Sequence, residues 1–516
     1  MNWKRSLLLA AVVVPLAIWT RWSGPAERKG SLFHPRPDAV EYGAAAQALA
    51  RSGEVYLQIG PYRVRPRYPP GWPMLIAVAV RFGVPGPHLW RITALFGAAL
   101  AWFLAFLAAR ATEELSAPKD RPGAAPLLAG LLAGCVWALA PIAVDLGQML
   151  MSDEPTALVS AAGLGFTGAG LLRKEGRNSW PLAAGGLACG LAAAMRSITA
   201  ALLILPILAF LLGCVRRFGV RAAVRRSLPW LAGLAVFPAL TVLVMIRSGW
   251  PPLEWSGYDF WIPRRFNELS RAFDLRFALQ PDLRFRLGAH GEPQSHLALA
   301  ARVLLGLPGM GSRQYLGLFW PILGWLAAIP MLVVARRRHQ DVAPWVGWAL
   351  LLWAVEHIAV FSLYFYPSSR FYLATLALCL LLFAIACGLG LARPDRRSRL
   401  LASVAAAVVL LVTVEGFMAL RHERQASPRR ERTRTYFNRW LAMGDAKRAG
   451  RIMPFDPVLA QALGLLTPEV AAGIHEWGEL PDTVHVRRLR QNGILPRALP
   501  PAPIPRREGR RSEGLR

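Results

Sequence analysis

The 516-residue sequence is poor in acidic residues and in cysteine. It has 31 Asp and Glu against 60 Lys and Arg, which gives a formal net charge of +29. All five cysteines fall inside apolar segments, which excludes both the paired spacing of a cysteine metal site and the loop placement of a disulfide framework. We therefore expect the cysteines to serve only in packing.

Apolar residues are abundant instead. The chain is 54% hydrophobic and contains 19 Trp, a composition that no ordinary soluble domain combines with so high a charge. The arginines gather in short clusters between apolar runs, as a topology signal does, and this argues against a nucleic-acid-binding surface. The sequence therefore predicts an all-α, multi-pass membrane protein whose partners include the lipid bilayer and no nucleic acid.

About eleven segments are apolar enough to span a bilayer, for which roughly 20 residues are needed. The first has Lys4 and Arg5 before it, but no small-residue cleavage site follows, so we expect it to be retained as an anchor. The candidates are residues 6–22, 87–109, 124–144, 155–172, 180–195, 198–215, 228–246, 315–335, 343–363, 371–391 and 400–420.

Arginine clusters in the short loops predict the orientation of these spans. With the N-terminus in the cytoplasm, every cluster falls inside, and the short outside connections are poor in positive charge. The inside clusters are KR at 4–5, RKEGR at 173–177, RRFGVRAAVRR at 216–226, RRR at 336–338 and RPDRRSR at 393–399. In a cell (inner) membrane, three longer segments then lie on the extracytoplasmic side: residues 23–86, residues 247–314 and the tail from residue 421.

The first outside segment is the most polar part of the first hundred residues. Asp38 stands at the head of a predicted short helix that Gly53 ends, and Tyr42, four residues on, shares its face. After it, RVRPRYPPGWPMLIA is extended and limited by its prolines. The apolar run 74–82 is too short to span, so we expect it to lie along the interface with Trp72 at headgroup depth.

Two further outside segments complete the organisation. The aromatic and basic residues 255–273, together with a predicted amphipathic interfacial helix at 295–307, form either a lid over a lipid headgroup or a linker that rests on the bilayer. The tail has no spanning segment, and its proline- and arginine-rich end is expected to be disordered. The predicted domains are residues 1–420, in the membrane, and residues 421–516, a basic tail outside it.

Three outside motifs resemble one family. They are an acidic residue with Tyr four positions on, followed by a basic segment with a double proline; LMSDEPTALVSAAG at 150–163; and YPSSRFYLATLAL at 366–378. Together they resemble the GT-C superfamily of glycosyltransferases, which use polyprenyl-phosphate sugars and include protein O-mannosyltransferases, aminoarabinose transferases and lipopolysaccharide core transferases. Relatives have a basic residue directly before the double proline, whereas this chain has Tyr68, with Arg67 one position earlier.

The resemblance implies a fold and a chemistry. It implies a GT-C-like membrane bundle and an enzyme that moves a hexose or pentose from a polyprenyl-phosphate carrier to a lipid, glycan or protein acceptor on the extracytoplasmic face. Such a transfer needs a base near the acceptor and positive charge on the departing phosphate. Asp38 is the candidate base, and the candidate lipid-phosphate ligands are Arg65, Arg67 and Arg370.

Four more residues are candidates for binding the acceptor or a metal, or for orienting other groups: Glu41, Tyr42, Asp153 and Glu154. The two acids of the second outside loop could orient the acceptor, hold a cation or raise the pKa of Asp38 by like-charge repulsion. The family has members with and without a metal requirement, so a divalent cation is left open as the only cofactor.

Each of these residues also has a plainer interpretation. Asp38 would be favoured at a helix start in any case, and the arginines would contact any anionic headgroup. Asp153 and Glu154 would suit the N-terminal turn of a helix, and Arg196 a short turn between helices. Glu356 and His357 lie within an apolar run, where ionisable residues are often functional, but they can also pair or face a neighbouring helix, and we place them outside the site.

Two other classes of function remain open from the sequence. One is a transporter or flippase for a lipid-linked glycan, which should bury its ionisable residues near mid-membrane between internal repeats. The other is a non-catalytic assembly partner, for which exchange of Asp38 changes no glycan. The promising acids and arginines gather at one predicted face and no convincing repeat is found, which favours the transferase.

Overall fold

In the residues that the structure describes, the protein is a bundle of helices with two short antiparallel hairpins. The computed structural model describes residues 3–22, 37–59, 62–64, 66, 68–84, 88–116, 123–172, 179–251, 273–286, 293–306, 320–338, 341–364 and 368–425. The helices are α1 (Trp3–Trp22), α2 (Pro37–Ser52), α3 (Gly71–Arg81), α4 (Trp90–Leu115), α5 (Ala125–Leu139), α6 (Pro141–Gly147), α7 (Asp153–Leu172), α8 (Trp180–Met195), α9 (Ser197–Ala201), α10 (Ile204–Phe218), α11 (Val220–Arg247), α12 (Leu275–Leu279), α13 (His296–Leu305), α14 (Trp320–Arg338), α15 (Ala343–Leu363), α16 (Leu373–Ala392) and α17 (Arg396–Gln425). The hairpins pair β1 (Leu57–Ile59) with β2 (Tyr62–Val64) and β3 (Asp282–Arg286) with β4 (Pro293–Gln294), and a 3₁₀ turn (Ser369–Tyr372) precedes α16.

Every predicted span coincides with a helix or an adjoining pair of helices. In the described ranges, nine spans are long and apolar enough to cross a membrane, and α5 with α6, bent by 59°, makes a tenth. The remaining predicted span is α8, an apolar helix of 16 residues. The all-α membrane architecture is therefore confirmed, and the count differs from eleven only by this short helix.

The bend between α5 and α6 and the start of α2 have local causes. Pro141 is the first residue of α6, and Ala140 before it has an extended ψ of 120°, so the helical hydrogen bonds are interrupted there. In α2, Asp38 is the second residue, as the sequence predicts. Gly53 follows the helix with φ of 73°, a left-handed conformation that favours glycine.

The helix ends that the sequence places outside contact one another at one end of the bundle. Arg21 in the last turn of α1 pairs with Glu154 in the first turn of α7. The backbone of Gly71 in α3 abuts the C-terminal end of α8 at Ala194, and the backbone N–H of Val55 donates to Ser248 Oγ beyond α11 at 2.7 Å. We call this the α2–α3 end, after the two short helices that lie on it.

Arginines of the 216–226 cluster lie at the other end. Arg217, at the end of α10, donates to the backbone carbonyl of Leu172 and lies 3.6 Å from Asp341. Arg226 donates to the carbonyl of Leu171 at 3.1 Å. The structure thus reproduces the predicted alternation of helix ends, and the assignment of the α2–α3 end to the extracytoplasmic side stays a prediction.

Small residues allow the closest helix packing. A Cβ at Gly186 or Gly190 of α8, or at Gly233 of α11, would overlap backbone atoms of the facing helix. The two helix backbones therefore touch directly, as in small-residue interfaces of membrane proteins, where close van der Waals packing replaces the hydrophobic effect. The five cysteines are free and buried or half-buried, which agrees with a packing role.

Trp72 is surrounded by protein. It is fully buried and packs edge-on against Phe96 of α4, with ring centroids 5.6 Å apart. The short apolar run does form helix α3, but this helix lies on the ends of other helices, so protein rather than lipid headgroups surrounds the indole. The expectation that Trp72 lies at headgroup depth stays a prediction, but the amphipathic pattern did not show that the apolar side of α3 faces protein rather than lipid.

The remaining outside segments are described in part. The predicted interfacial helix is α13, capped by the Ser295 hydroxyl, which accepts from the backbone N–H of Ala298 at 3.2 Å. It packs against α15 and the 3₁₀ turn, so it is part of the bundle end. Most of the companion segment of the lid hypothesis, 255–273, lies outside the described residues, as does the tail beyond Gln425, into which α17 continues past the predicted boundary at residue 420.

Candidate active site

Tyr42 joins the first outside segment to the second. Its hydroxyl lies 3.1 Å from Oγ of Ser152, the residue directly before α7, and its buried ring packs on Tyr68 with centroids 4.9 Å apart. The carboxylate of Glu41, also buried, accepts a hydrogen bond of 3.3 Å from the backbone N–H of Tyr68. Glu41 and Tyr42 thus hold the residue before the double proline against α2 and against the start of α7.

Asp38 lies one helical turn before Tyr42 on α2. The structure describes the backbone of Asp38 but not its side chain. Arg65 and Arg67 lie outside the described residues. Their predicted roles, as base and as lipid-phosphate ligands, stay predictions, while the backbone of Asp38 is placed at the α2–α3 end of the bundle.

Asp153 forms an ion pair with Arg196. The Arg196 guanidinium donates to Oδ1 of Asp153 at 2.5 Å, and the Asp153 side chain is only 2% exposed. Burial acts to lower the pKa of Arg196, but the adjacent Asp153 carboxylate more than compensates and the pKa lies above its ordinary value. The sequence suggested only a turn at Arg196. It does break the chain between α8 and α9, and it also neutralises a site carboxylate.

Glu154 is held by Arg21. The guanidinium Nη2 lies 2.6 Å from Oε1, both side chains are fully shielded, and Arg21 also donates to the carbonyl of Ala17. Gly97 of α4 and Gly147 of α6 flank this pair so closely that a Cβ on either would collide with it. Sequence reasoning missed Arg21, although an arginine inside the last turn of an apolar span is a signal in itself.

A cavity of about 30 Å³ opens beside the Asp153–Arg196 pair. Arg370, from the 3₁₀ turn before α16, lines the same cavity, and both arginines lie against the ring of Phe371, at 5.3 Å and 5.4 Å from its centroid. The charged lining is one carboxylate and two guanidinium groups, a net positive charge that suits an anion. The structure therefore brings together two of the predicted site residues, Asp153 and Arg370.

His357 of α15 lines this cavity too. Its Nδ1 lies 2.8 Å from the carbonyl oxygen of Trp353, and its ring packs edge-on against the Trp353 indole. Its neighbour Glu356 faces the first turn of α10, near Leu205. The two ionisable residues of this apolar run thus point to different surroundings, and His357, which the sequence left outside the site, belongs to the cavity.

The described residues contain no group of three or more His, Cys, Asp or Glu side chains arranged to hold a metal ion. Asp153 and Glu154 are each engaged by an arginine, so neither presents an unneutralised carboxylate to a cation. The side chain of Asp38 is outside this description, so a cation at that carboxylate stays a prediction.

No protein-family model and no curated protein sequence matches the chain. Several solved structures are similar to it. The archaeal oligosaccharyltransferase AglB from Archaeoglobus fulgidus, in complex with an inhibitory peptide and a dolichol-phosphate, matches with a TM-score of 0.53 at 13% identity, over 86% of this chain and 60% of that protein. ArnT from Cupriavidus metallidurans, bound to undecaprenyl phosphate, matches with a TM-score of 0.50 at 15% identity, over 95% of this chain and 75% of that protein.

Both neighbours are polyprenyl-phosphate-dependent glycosyltransferases of the GT-C superfamily. The chain spans about 60% of the length of the archaeal protein. At these identities the likeness shows the fold, and the GT-C resemblance predicted from the outside motifs is confirmed at that level.

Proposed function

We propose that the protein is a GT-C-type membrane glycosyltransferase that moves a sugar from a polyprenyl-phosphate carrier to a lipid, glycan or protein acceptor on the extracytoplasmic face. The observation that carries the proposal is the meeting of α2, the start of α7 and the Arg370 turn at one end of the bundle. Tyr42 bonds to Ser152, Asp153 follows, and Arg196 and Arg370 close the far side of the cavity.

The charge distribution supports an anionic leaving group. In the transfer, an acceptor oxygen attacks the anomeric carbon, the bond from that carbon to the phosphate oxygen breaks, and negative charge develops on the departing lipid phosphate. We assign this charge to Arg370, whose side chain lines the cavity together with Asp153 and Arg196. We assign Arg65 and Arg67 to the same phosphate from their place before the double proline.

We assign Asp38 the role of the general base that takes the proton of the acceptor hydroxyl. As the acceptor hydroxyl attacks, its hydrogen passes to a carboxylate, and the Asp38 backbone is positioned on the first turn of α2 at this end of the bundle. Glu41, Tyr42, Asp153 and Glu154 are then positioning residues, since each is buried in a hydrogen bond or ion pair that fixes α2 or α7. A divalent cation beside Asp38 would bind the same phosphate and would add to the arginines.

The bound lipids of the structural neighbours support the donor class. AglB holds a dolichol-phosphate and ArnT an undecaprenyl phosphate. A transporter of lipid-linked glycans would need its ionisable groups at mid-membrane, whereas the ion pairs described above lie at helix ends. This distribution favours the transferase over the transporter.

Mass spectrometry of lipids that co-purify with the protein tests the donor class. A polyprenyl phosphate or a polyprenyl-phosphate sugar is the expected lipid, and the latter would name both carrier and sugar. Turnover with a nucleotide sugar in the absence of any lipid carrier would contradict the donor class.

A further inference from the structure

His357 has a fixed hydrogen-bonding polarity inside the cavity. A carbonyl oxygen only accepts, so the 2.8 Å contact to Trp353 places the hydrogen on Nδ1. In the uncharged ring, Nε2 then carries a lone pair and can accept a hydrogen bond. Among the described residues no group donates to Nε2, although the histidine itself is 5% exposed.

The ring is also held in place. The indole of Trp353 lies edge-on to it with centroids 5.3 Å apart, and the ring of Phe361 lies 6.0 Å away on the following turn. An imidazole bonded through one nitrogen to a backbone carbonyl and packed between two aromatic rings presents its second nitrogen in one direction. Such a group selects a donor by position rather than adapting to it.

The cavity wall combines this acceptor with positive charge. Asp153, Arg196, Arg370 and Phe371 line the cavity with His357, together with the hydroxyl-bearing Thr156 and Ser160. At about 30 Å³ the cavity has room for one or two water-sized groups, such as a hydroxyl or a hydroxymethyl group. A molecule that carries a phosphate and, a few atoms away, a hydroxyl matches both features of this wall.

We propose that His357 is a specificity-determining residue whose Nε2 accepts a hydrogen bond from one hydroxyl of the sugar on the lipid-linked donor. The inference rests on the proposed function and makes it more specific. Arg370 binds the phosphate, which every polyprenyl phosphate carries. His357 contacts the sugar, which only the sugar-loaded carrier bears.

Two substitutions distinguish a role of Nε2 as hydrogen-bond acceptor from a purely structural role of His357. In His357→Asn the amide nitrogen occupies the position of Nδ1 and keeps the bond to the Trp353 carbonyl, but nothing reaches the position of Nε2. In His357→Gln the amide reaches the position of Nε2, so its oxygen can still accept. A purely structural role predicts that Asn, the variant that keeps the internal hydrogen bond, is the milder change, whereas the proposal predicts that it is the more damaging one.

The experiment measures binding of undecaprenyl phosphate, bare or bearing glucose, mannose or arabinose, to the full-length protein in nanodiscs. We expect the unaltered protein to bind at least one sugar-bearing lipid more tightly than the bare lipid. His357→Asn should reduce this preference about two- to tenfold, the loss of one hydrogen bond, and His357→Gln should retain more of it. All three proteins should bind the bare lipid phosphate equally, which also shows that the variants are folded.

The outcomes distinguish the two levels of the proposal. Failure of the unaltered protein to bind any of these lipids contradicts the proposed function itself. Binding of the bare and every sugar-bearing lipid with equal affinity, or an unchanged preference in His357→Asn, overturns the role of His357 while the transferase stands. Equal loss of bare and sugar-bearing lipid in both variants would assign His357 to the structure of the cavity and also overturn the proposal.

Discussion

The guanidinium group of Arg21 and the carboxylate of Glu154 form an ion pair of 2.6 Å with both side chains fully shielded from solvent. The pair joins the last turn of α1 to the first turn of α7 across 133 positions of sequence. Because Asp153 precedes Glu154, the same turn also carries the carboxylate that pairs with Arg196. The geometry of the cavity therefore depends on a contact made by the N-terminal span.

Removal of one partner of this pair should destabilise the protein strongly. We expect Glu154→Gln or Arg21→Met to cost about 3–5 kcal/mol, since each leaves the other charge buried and uncompensated. The double variant Arg21→Met with Glu154→Met should be more stable than the sum of the single losses. A double-mutant cycle on thermal unfolding in detergent measures this coupling, and additive losses would mean that the pair contributes no interaction of its own.

A methyl group at Gly97 should disturb the same pair. Its Cβ would collide with the Glu154 carboxylate and the Arg21 guanidinium, and overpacking of this kind costs about 1–3 kcal/mol. The matched control is Gly165→Ala in α7, where an added Cβ meets nothing within 4 Å and alanine should stabilise the helix by up to about 1 kcal/mol. Opposite shifts of the melting temperature are expected, and equal shifts would show that the space around the ion pair is not tight.

Asp38→Asn tests the proposed base. Asparagine keeps the size of the side chain but cannot take the proton, so transfer should fall about 10²- to 10⁴-fold while expression and donor binding persist. Loss of a favourable helix-terminus charge alone costs only about 0.3–1 kcal/mol. Transfer is measured in proteoliposomes with the donor and acceptor that mass spectrometry identifies.

Controls for Asp38 come from the opposite end of the bundle and from α7. Asp341→Asn removes a carboxylate that is 66% exposed and pairs with Arg217, far from the cavity, so transfer should not change. Asp153→Asn and Glu154→Gln belong in the same assay. Full activity of Asp38→Asn together with loss of activity in Asp153→Asn would move the base to the second outside segment.

Arg370→Gln should weaken binding of bare undecaprenyl phosphate. A hydrogen bond to a charged group contributes about 1.5–3 kcal/mol, so the affinity should fall tenfold or more. Arg370→Lys should recover only part of it, because lysine keeps the charge but not the fork of donors. Arg217→Gln, at the other end of the bundle, should leave the affinity unchanged; an equal loss there would mean that the lipid binds by general charge rather than in the cavity.

The predicted topology is tested by reporter fusions. Fusions after Gly53 and Gly291 should report the extracytoplasmic side, and fusions after Arg226 and Arg338 the cytoplasm, because the arginine clusters determine the orientation. Cytoplasmic signals from both Gly53 and Gly291 would place the α2–α3 end inside the cell and contradict the proposed active site.

Much of the fold could be predicted because each span is a local signal. Length and apolar content identify α15, for which predicted and observed bounds are the same, residues 343–363. Alternating arginine clusters likewise give the alternation of helix ends. The surroundings of Trp72 could not be predicted this way, since lipid and protein interior look equally apolar to a sequence pattern, and only the packing of α3 on α8 decides between them.

The candidate site was predictable only in its outside motifs. Asp153 and Arg370 were identified from motifs and meet at one cavity. Arg196 and Arg21 were not, because an arginine alone at the end of an apolar run carries no sign of the carboxylate it will meet 43 or 133 residues away. His357 did carry a signal, an ionisable group within a span, but the sequence could not tell a functional histidine from a satisfied one.

Helix α8 has consequences for the bilayer around it. Its 16 residues extend about 24 Å, roughly 6 Å less than the hydrocarbon thickness of a typical membrane. A lipid in contact with α8 would have to shorten or tilt to match this length, so we expect the bilayer to be thinner beside α8 and the residue that follows it, Arg196. A polyprenyl carrier that diffuses to this place can bring its phosphate to the cavity while its headgroup stays in the polar layer, and membranes built from longer acyl chains should slow that approach.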